Sequence, residues 1–358
     1  MSESTINAEG IKEELAPSEE TGEILLSSEA AEETIAEEQA AKPEPPRKNK
    51  PKNQWKAWLY LAPAIVLLLI FTVWPIINTI RMSLLVDYNA MKAVGGKTFS
   101  FGFANFKNVV GYSRFWRYLG NTMLITVITV PVSTMLALLI AVGLNSIKWL
   151  KKTLQTIFFL PYVTNSIAIG MVFMAMFTII GNVNSPDSVG IINSIIKAFG
   201  GKPINWINEG SSYAANITVV SLYIIWNALP FKILVLLGGL QGVNKQYYDA
   251  AKVDGTSRFR TFWRITVPLL SPMIAYVVIT GFIGGFKEYT SIVGIFGTKD
   301  GYPLMGPVDH EVDTMVGYIY RSLTNNQGRA SAAALILFAI IFVVTMINLY
   351  VSKKKVHY

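Results

Sequence analysis

Lys287 and Glu288 lie inside a long apolar stretch, behind Gly284-Gly285 and between Phe286 and Tyr289. Charge at membrane depth is costly, so such groups usually face a cavity or one another. Adjacent residues on a regular helix diverge by about 100°, so a direct pair requires the helix to loosen, which the two glycines permit. Lys287 also suits a position near a membrane boundary, where its stem lies along apolar surface and its ammonium reaches water. A second set, Tyr223, Trp226 and Asn227, precedes Pro230 in another apolar stretch. Aromatic faces cover the C–H faces of a pyranose and an amide satisfies its hydroxyls. The same residues equally suit helix packing, with Asn227 as an interhelical hydrogen bond.

Other chemistries lack their residues. The chain has no cysteine, hence no thiolate or disulfide framework, and its two histidines, His310 and His357, are too far apart in sequence for a zinc cluster. No nucleophile stands with a base, no carboxylates are paired at membrane depth, and no G-x-x-x-x-G-K-[ST] loop is present to cradle phosphates. The expectation is a non-catalytic chain with no cofactor and no metal. Ion-coupled secondary transport is a weaker alternative, because those folds commonly show internal repeats and matched broken helices.

The 358 residues are 52% hydrophobic and 15% charged, more apolar side chain than one water-soluble core buries. Six stretches are long enough to cross about 30 Å of hydrocarbon as helices. They run Ala57 to Ile80, Leu119 to Leu144, Thr153 to Ile180, Ala214 to Gly239, Ile265 to Ile295 and Ser331 to Val351. The expected fold is an all-α integral membrane protein of six transmembrane helices. Pro63, Pro75, Pro131, Pro161, Pro230, Pro268 and Pro272 fall within these stretches. Each removes a backbone donor and either kinks its helix or is accommodated by neighbours.

Charge divides the chain. Residues 1–46 hold thirteen Glu and two Lys, a net of −11, which leaves +19 for the rest of a chain whose formal total is +8. This segment lacks aromatics and ends in Lys42-Pro-Glu-Pro-Pro46, the composition of a disordered tail. A basic juxtamembrane collar follows over 47–56, Arg47, Lys48, Lys50, Lys52 and Lys56, suited to anionic lipid headgroups. With both termini placed inside, inner segments carry sixteen Lys and Arg in 49 residues and outer loops eleven in 106. That bias predicts cytoplasmic termini, including a short basic one at 352–358, and places the span-adjacent charge on lipid rather than nucleic acid. The permease domain is expected over 57–351.

Between the fourth and fifth stretches, over 240–268, lies a segment that reads as helix, break and second helix. Tyr247, Ala250 and Ala251 share a face at i, i+3 and i+4, and Asp254-Gly255 is a turn signal. Phe259, Phe262 and Trp263 recur at the same spacing among Arg258, Arg260 and Arg264, which also fits a plain amphipathic connector at the membrane interface. The run Asp249-Ala-Ala-x-x-Asp254-Gly255, followed by Ile265-x-Val-Pro268, resembles the E-A-A-x-x-D-G loop and I-x-L-P of permease subunits of binding-protein-dependent ABC importers. Asp249 replaces the usual Glu and Thr256 a frequent Ala. Leu222-Tyr-Ile-Ile-Trp226-Asn-Ala-Leu-Pro230-Phe, Phe103-Ala-Asn105-Phe106, Asn121-Thr122 and Trp74-Pro75 are similar to the carbohydrate, maltose-transporter-like branch.

The resemblance, covering about residues 55 to 353, implies half of a translocation pathway for a carbohydrate. It implies that Tyr247, Asp249, Ala250, Ala251, Asp254, Gly255 and Phe259 form a cytoplasmic coupling helix docked on a separate ATP-binding subunit dimer. It further implies a second permease subunit, its partner in a heterodimer, and an extracytoplasmic solute-binding protein. Tyr223, Trp226, Asn227, Phe286, Lys287, Glu288 and Tyr289 would then line the substrate pathway. Glycerol phosphate or an oligopeptide carried by the same architecture is the alternative.

Overall fold

The computed structural model describes residues 54–147, 151–182, 185–299, 302–303 and 312–355. The acidic tail over 1–46, the collar up to Lys52 and the last three residues lie outside these.

Helix α1 (Gln54–Leu68) belongs to the first of two units and exposes Trp55, Trp58, Tyr60 and Leu67. The second unit, from Leu69 on, opens with a π-helical turn (Leu69–Val73) and α2 (Trp74–Leu84). Short helices α3 (Ala90–Val94) and α4 (Ala104–Val110) lead to the long α5 (Phe115–Ser146). Helices α6 (Lys151–Val163) and α7 (Ser166–Phe177) precede a two-stranded hairpin, β1 (Ile179–Asn182) and β2 (Ser185–Val189), and helix α8 (Ile191–Ala198). Then come α9 (Tyr213–Gly242), α10 (Gln246–Val253) and α11 (Arg258–Thr261), a second π-helical turn (Phe262–Thr266), α12 (Val267–Leu269) and α13 (Ser271–Phe286). The chain continues through α14 (Thr290–Phe296), the short strands β3 (Thr298–Lys299) and β4 (Tyr302–Pro303), α15 (Met315–Asn325) and α16 (Gln327–Lys355).

Four helical stretches are long and apolar enough to cross a membrane unbroken: Trp58–Leu84, Phe115–Ser146, Tyr213–Gly242 and Gln327–Lys354. Two expected spans are instead bent pairs, Gln155–Val163 with Ser166–Phe177 at 103° and Arg258–Leu269 with Ser271–Phe286 at 71°. The causes are local. Pro161 removes a helical donor, and two residues after α6 ends on Val163 the Asn165 side chain accepts from the backbone of Ile167 and Ala168, starting a new helix. Pro272 occupies the first turn of α13, where a missing N–H costs nothing. Pro75 and Pro268 each stand just after a π-helical turn, which absorbs the register they disturb.

Many buried polar side chains find their partners within the chain. Along α5, Thr122, Thr126 and Thr134 each donate to the carbonyl four residues back, at 2.8, 2.7 and 2.7 Å. Such bonds let hydroxyls enter an apolar interior without an orphaned donor. Asn105 donates to the carbonyls of Ser83 and Leu85 at 2.9 and 2.8 Å and accepts from the Asp87 amide. Asn121 donates to the Asp313 carbonyl and accepts from the Tyr213 hydroxyl. The Asn105 and Asn121-Thr122 signals of the sequence are therefore ties between segments distant along the chain.

Helices α7 and α14 meet backbone to backbone. A Cβ on Gly170 would lie 2.5 Å from the Gly294 Cα, so the backbones touch with no room for a methyl group. This is the small-residue contact typical of helices in a membrane, where no hydrophobic drive joins them.

Candidate functional site

The loop between α9 and α13 adopts the expected helix, break and helix. Gly255 sits at φ +65°, the Thr256 amide donates to the Ala251 carbonyl and the Gly255 amide to that of Lys252, a double closure of the α10 C-terminus. The Ser257 side chain accepts from the Arg260 amide and starts α11. Tyr247, Ala250, Asp254 and Phe259 are exposed, as is Val253. Asp249 pairs with Lys252 at 2.9 Å on an open surface, where such a pair contributes little.

Two expected groupings divide. Ala251, placed with Tyr247 and Ala250 from its spacing, is 5% exposed and faces its own chain, as does the half-buried Tyr248, whose hydroxyl lies 3.3 Å from Thr266 Oγ1. Phe262 packs into the cluster that includes Leu240 and Leu270, whereas Phe259 stays exposed. Trp263 stays with Phe259 on the exposed side, their ring centroids 6.3 Å apart.

A cavity of about 350 Å³ opens among α5, α6, α9 and α13. Thr129, Ser133, Asn227, Lys232, Thr280 and Glu288 supply its polar lining. Tyr162 and Phe231, stacked with centroids 6.1 Å apart, supply an aromatic wall. On α13, Gly281, Gly284 and Gly285 give a wall without side chains.

Of the sequence candidates, Asn227 and Glu288 line this cavity. Tyr223 is fully buried, donates to the Ser166 carbonyl at 2.7 Å and meets Phe173 edge to face, joining α9 to α7. Trp226 is partly exposed and tilted against Phe173. Phe286 is buried in the cluster with Phe115, Tyr118 and Met315. Tyr289 stacks on Tyr320, with centroids 4.4 Å apart.

Lys287 and Glu288 stand in a break between α13 and α14 rather than within a helix, although Gly284 and Gly285 themselves stay helical. Among the described residues no ion pair joins them: Lys287 is exposed, and Glu288 Oε1 accepts from the amides of Tyr289 and Ser291 and from the Ser291 hydroxyl. Glu288 thus caps the first turn of α14 while bordering the cavity.

Lys232, Tyr162 and Phe231 are absent from the sequence candidates. Lys232 carried a signal, a lone ionisable residue deep in the fourth apolar stretch. Tyr162 and Phe231 carried none, because their stacking depends on how α6 and α9 meet.

Away from the cavity, Asp313 is fully buried against Arg321, whose guanidinium lies 5.4 Å from the Tyr118 ring centre. Burial pushes the Asp313 carboxyl up to about 6 despite its Arg321 partner.

Residues 130–357 match the family described as the inner membrane component of binding-protein-dependent transport systems. The chain belongs to this family. Among similar family members, the lactose transport system permease protein LacF of Rhizobium radiobacter is 29% identical over 293 residues, 81% of this chain and 91% of LacF. The arabinooligosaccharides transport system permease protein AraP of Bacillus subtilis is 28% identical over 302 residues, 82% of this chain and 88% of AraP. A chain of a bacterial ABC transporter that imports the acidic polysaccharide alginate superposes with a TM-score of 0.68 at 20% identity, over 85% of this chain and 96% of that one. Another structure of a bacterial alginate transporter, in complex with an alginate pentasaccharide-bound periplasmic protein, matches at the same TM-score and 22% identity.

Proposed function

We propose that this inner-membrane component is a permease subunit of a carbohydrate ABC importer, forming half of the pathway with a second permease. The cavity carries this reading: a stacked aromatic wall faces hydroxyl, amide and charged groups, the pairing that a sugar's apolar faces and hydroxyls require. The sugar-transport names of LacF and AraP support it.

In the same reading the loop around Asp249 to Gly255 docks on a separate ATP-binding dimer through Tyr247, Ala250, Asp254 and Phe259, with Ala251 bracing the loop from within. A solute-binding protein delivers substrate from the other side. Both termini, with the acidic tail and basic collar, lie in the cytoplasm.

Reconstitution of the chain with its partner subunits in vesicles tests this. ATP-dependent accumulation of a labelled saccharide is expected, lost when Phe231 is replaced by Ala but retained when it is replaced by Tyr. A complex whose ATPase responds to no saccharide, or whose uptake ignores Phe231→Ala, overturns the reading.

A further inference from the structure

Lys232 lies in α9, ten residues from its end at Gly242, and is 4% exposed. At 1.5 Å per residue it is about 15 Å from that end, too deep for its ammonium to reach bulk water. Among the described residues no carboxylate lies within ion-pairing distance. Its Nζ donates to three neutral oxygens of α5: the Val130 carbonyl at 3.1 Å, Ser133 Oγ at 2.7 Å and Thr134 Oγ1 at 2.9 Å. Hydrogen bonding is complete, but the charge is not neutralised, and an uncompensated buried cation is costly.

Those three bonds are exchangeable. Ser133 also donates to the Thr129 carbonyl and Thr134 to that of Val130, so both hydroxyls keep their donor bonds if Nζ turns away. The cavity-lining Gly281 lies beside Nζ, close enough that a Cβ there would be 3.3 Å from it. The glycine wall leaves that flank without a covering side chain. Glu288 borders the cavity beyond the end of α13, seven residues after Gly281, and its Oε1 already accepts from three donors. The lining is therefore dipolar, with an exchangeable cation at one point and a committed carboxylate at another.

We propose that the cavity selects a saccharide bearing a carboxylate, matched by Lys232 Nζ, with its hydroxyls turned toward Asn227, Thr280 and Glu288. This rests on the carbohydrate reading above and narrows it to acidic sugars. A neutral sugar would leave the Lys232 charge as it stands, whereas a carboxylate neutralises it.

The experiment measures direct binding to the purified complex in nanodiscs, without the solute-binding protein, so that its selectivity does not intrude. The probes are matched pairs: glucuronate with glucose, galacturonate with galactose, and the corresponding uronate and neutral disaccharides. The wild-type complex is expected to favour the acidic member of at least one pair by about tenfold or more, the scale of a hydrogen bond to a charged group. Lys232→Met should abolish that preference with little change in neutral-sugar affinity, and Lys232→Arg should keep most of it. A Lys232→Met complex that retains the preference, or a wild-type complex that binds neutral members equally or better, overturns the inference and leaves the carbohydrate reading standing. If no pair binds and none stimulates ATP hydrolysis, the carbohydrate reading itself falls, and this inference with it.

Discussion

Replacing Gly255 with Val should uncouple ATP hydrolysis from transport while leaving the complex assembled. Gly255 holds φ +65°, and a Cβ built there meets no atom within 4 Å. The penalty is therefore one of backbone conformation rather than collision, about 1–2 kcal/mol for an L-residue in the left-handed region and more for a β-branched one. Since 1.4 kcal/mol is tenfold in population, 2 kcal/mol lowers occupancy of the native turn about thirtyfold relative to its alternatives. The chain escapes the strain by opening the turn, which breaks the Thr256 to Ala251 and Gly255 to Lys252 bonds. That swings α11 away from α10 and separates Phe259 from Tyr247 and Ala250. Asn tolerates the same region, so the expected order of solute moved per ATP is Gly, then Asn, then Ala, then Val. Purified complexes in vesicles, assayed for ATPase and uptake together, give that ratio. A Gly255→Val complex that transports as much per ATP as the wild type refutes the reasoning.

Gly170→Ala should lower complex yield and thermal stability, because its methyl group would fall 2.5 Å from the Gly294 Cα and force α7 from α14, a cost of about 1–3 kcal/mol. Gly120→Ala, where nothing lies within 4 Å, is the control expected to match the wild type in a thermal melt. Glu288→Gln keeps an acceptor for the Tyr289 and Ser291 amides and should preserve yield while reducing uptake. Glu288→Leu removes the cap, at about 1 kcal/mol, and should reduce both, as yield set against uptake will show. Lys287→Met should leave yield unchanged, since no ion pair ties it to Glu288. For Asp313, with its carboxyl raised from 3.8 to about 6, the folded chain holds the proton more tightly than the unfolded one. Its stabilising contribution is thus full below about pH 4 and lost as pH rises through 6, a change of about 3 kcal/mol. Limited proteolysis from pH 4.5 to 7.5 should show protection near α15 falling as pH rises, with a flatter profile in Asp313→Asn.

Composition and spacing alone carried the membrane class, the approximate positions of six apolar stretches, and a helix, turn and helix over 240–268. These properties are local: apolar length is counted along the chain, and only Gly adopts φ +65° at Gly255 without strain. Tertiary structure decided the remainder. The third and fifth stretches bend because Asn165 caps a new helix and Ser271-Pro272 begins another, choices that compete with continued apolar helix and depend on what the two halves pack against. Tyr223 and Asn227, one turn apart in the sequence, part company: the first is sealed against Ser166 and Phe173, the second opens on the cavity. Lys232 reads in sequence as one charge in an apolar run. Only the approach of α5 supplies the three oxygens that hold it and the cavity that gives its charge a use, because a site assembled from separate helices is a property of their packing and not of any one helix's composition.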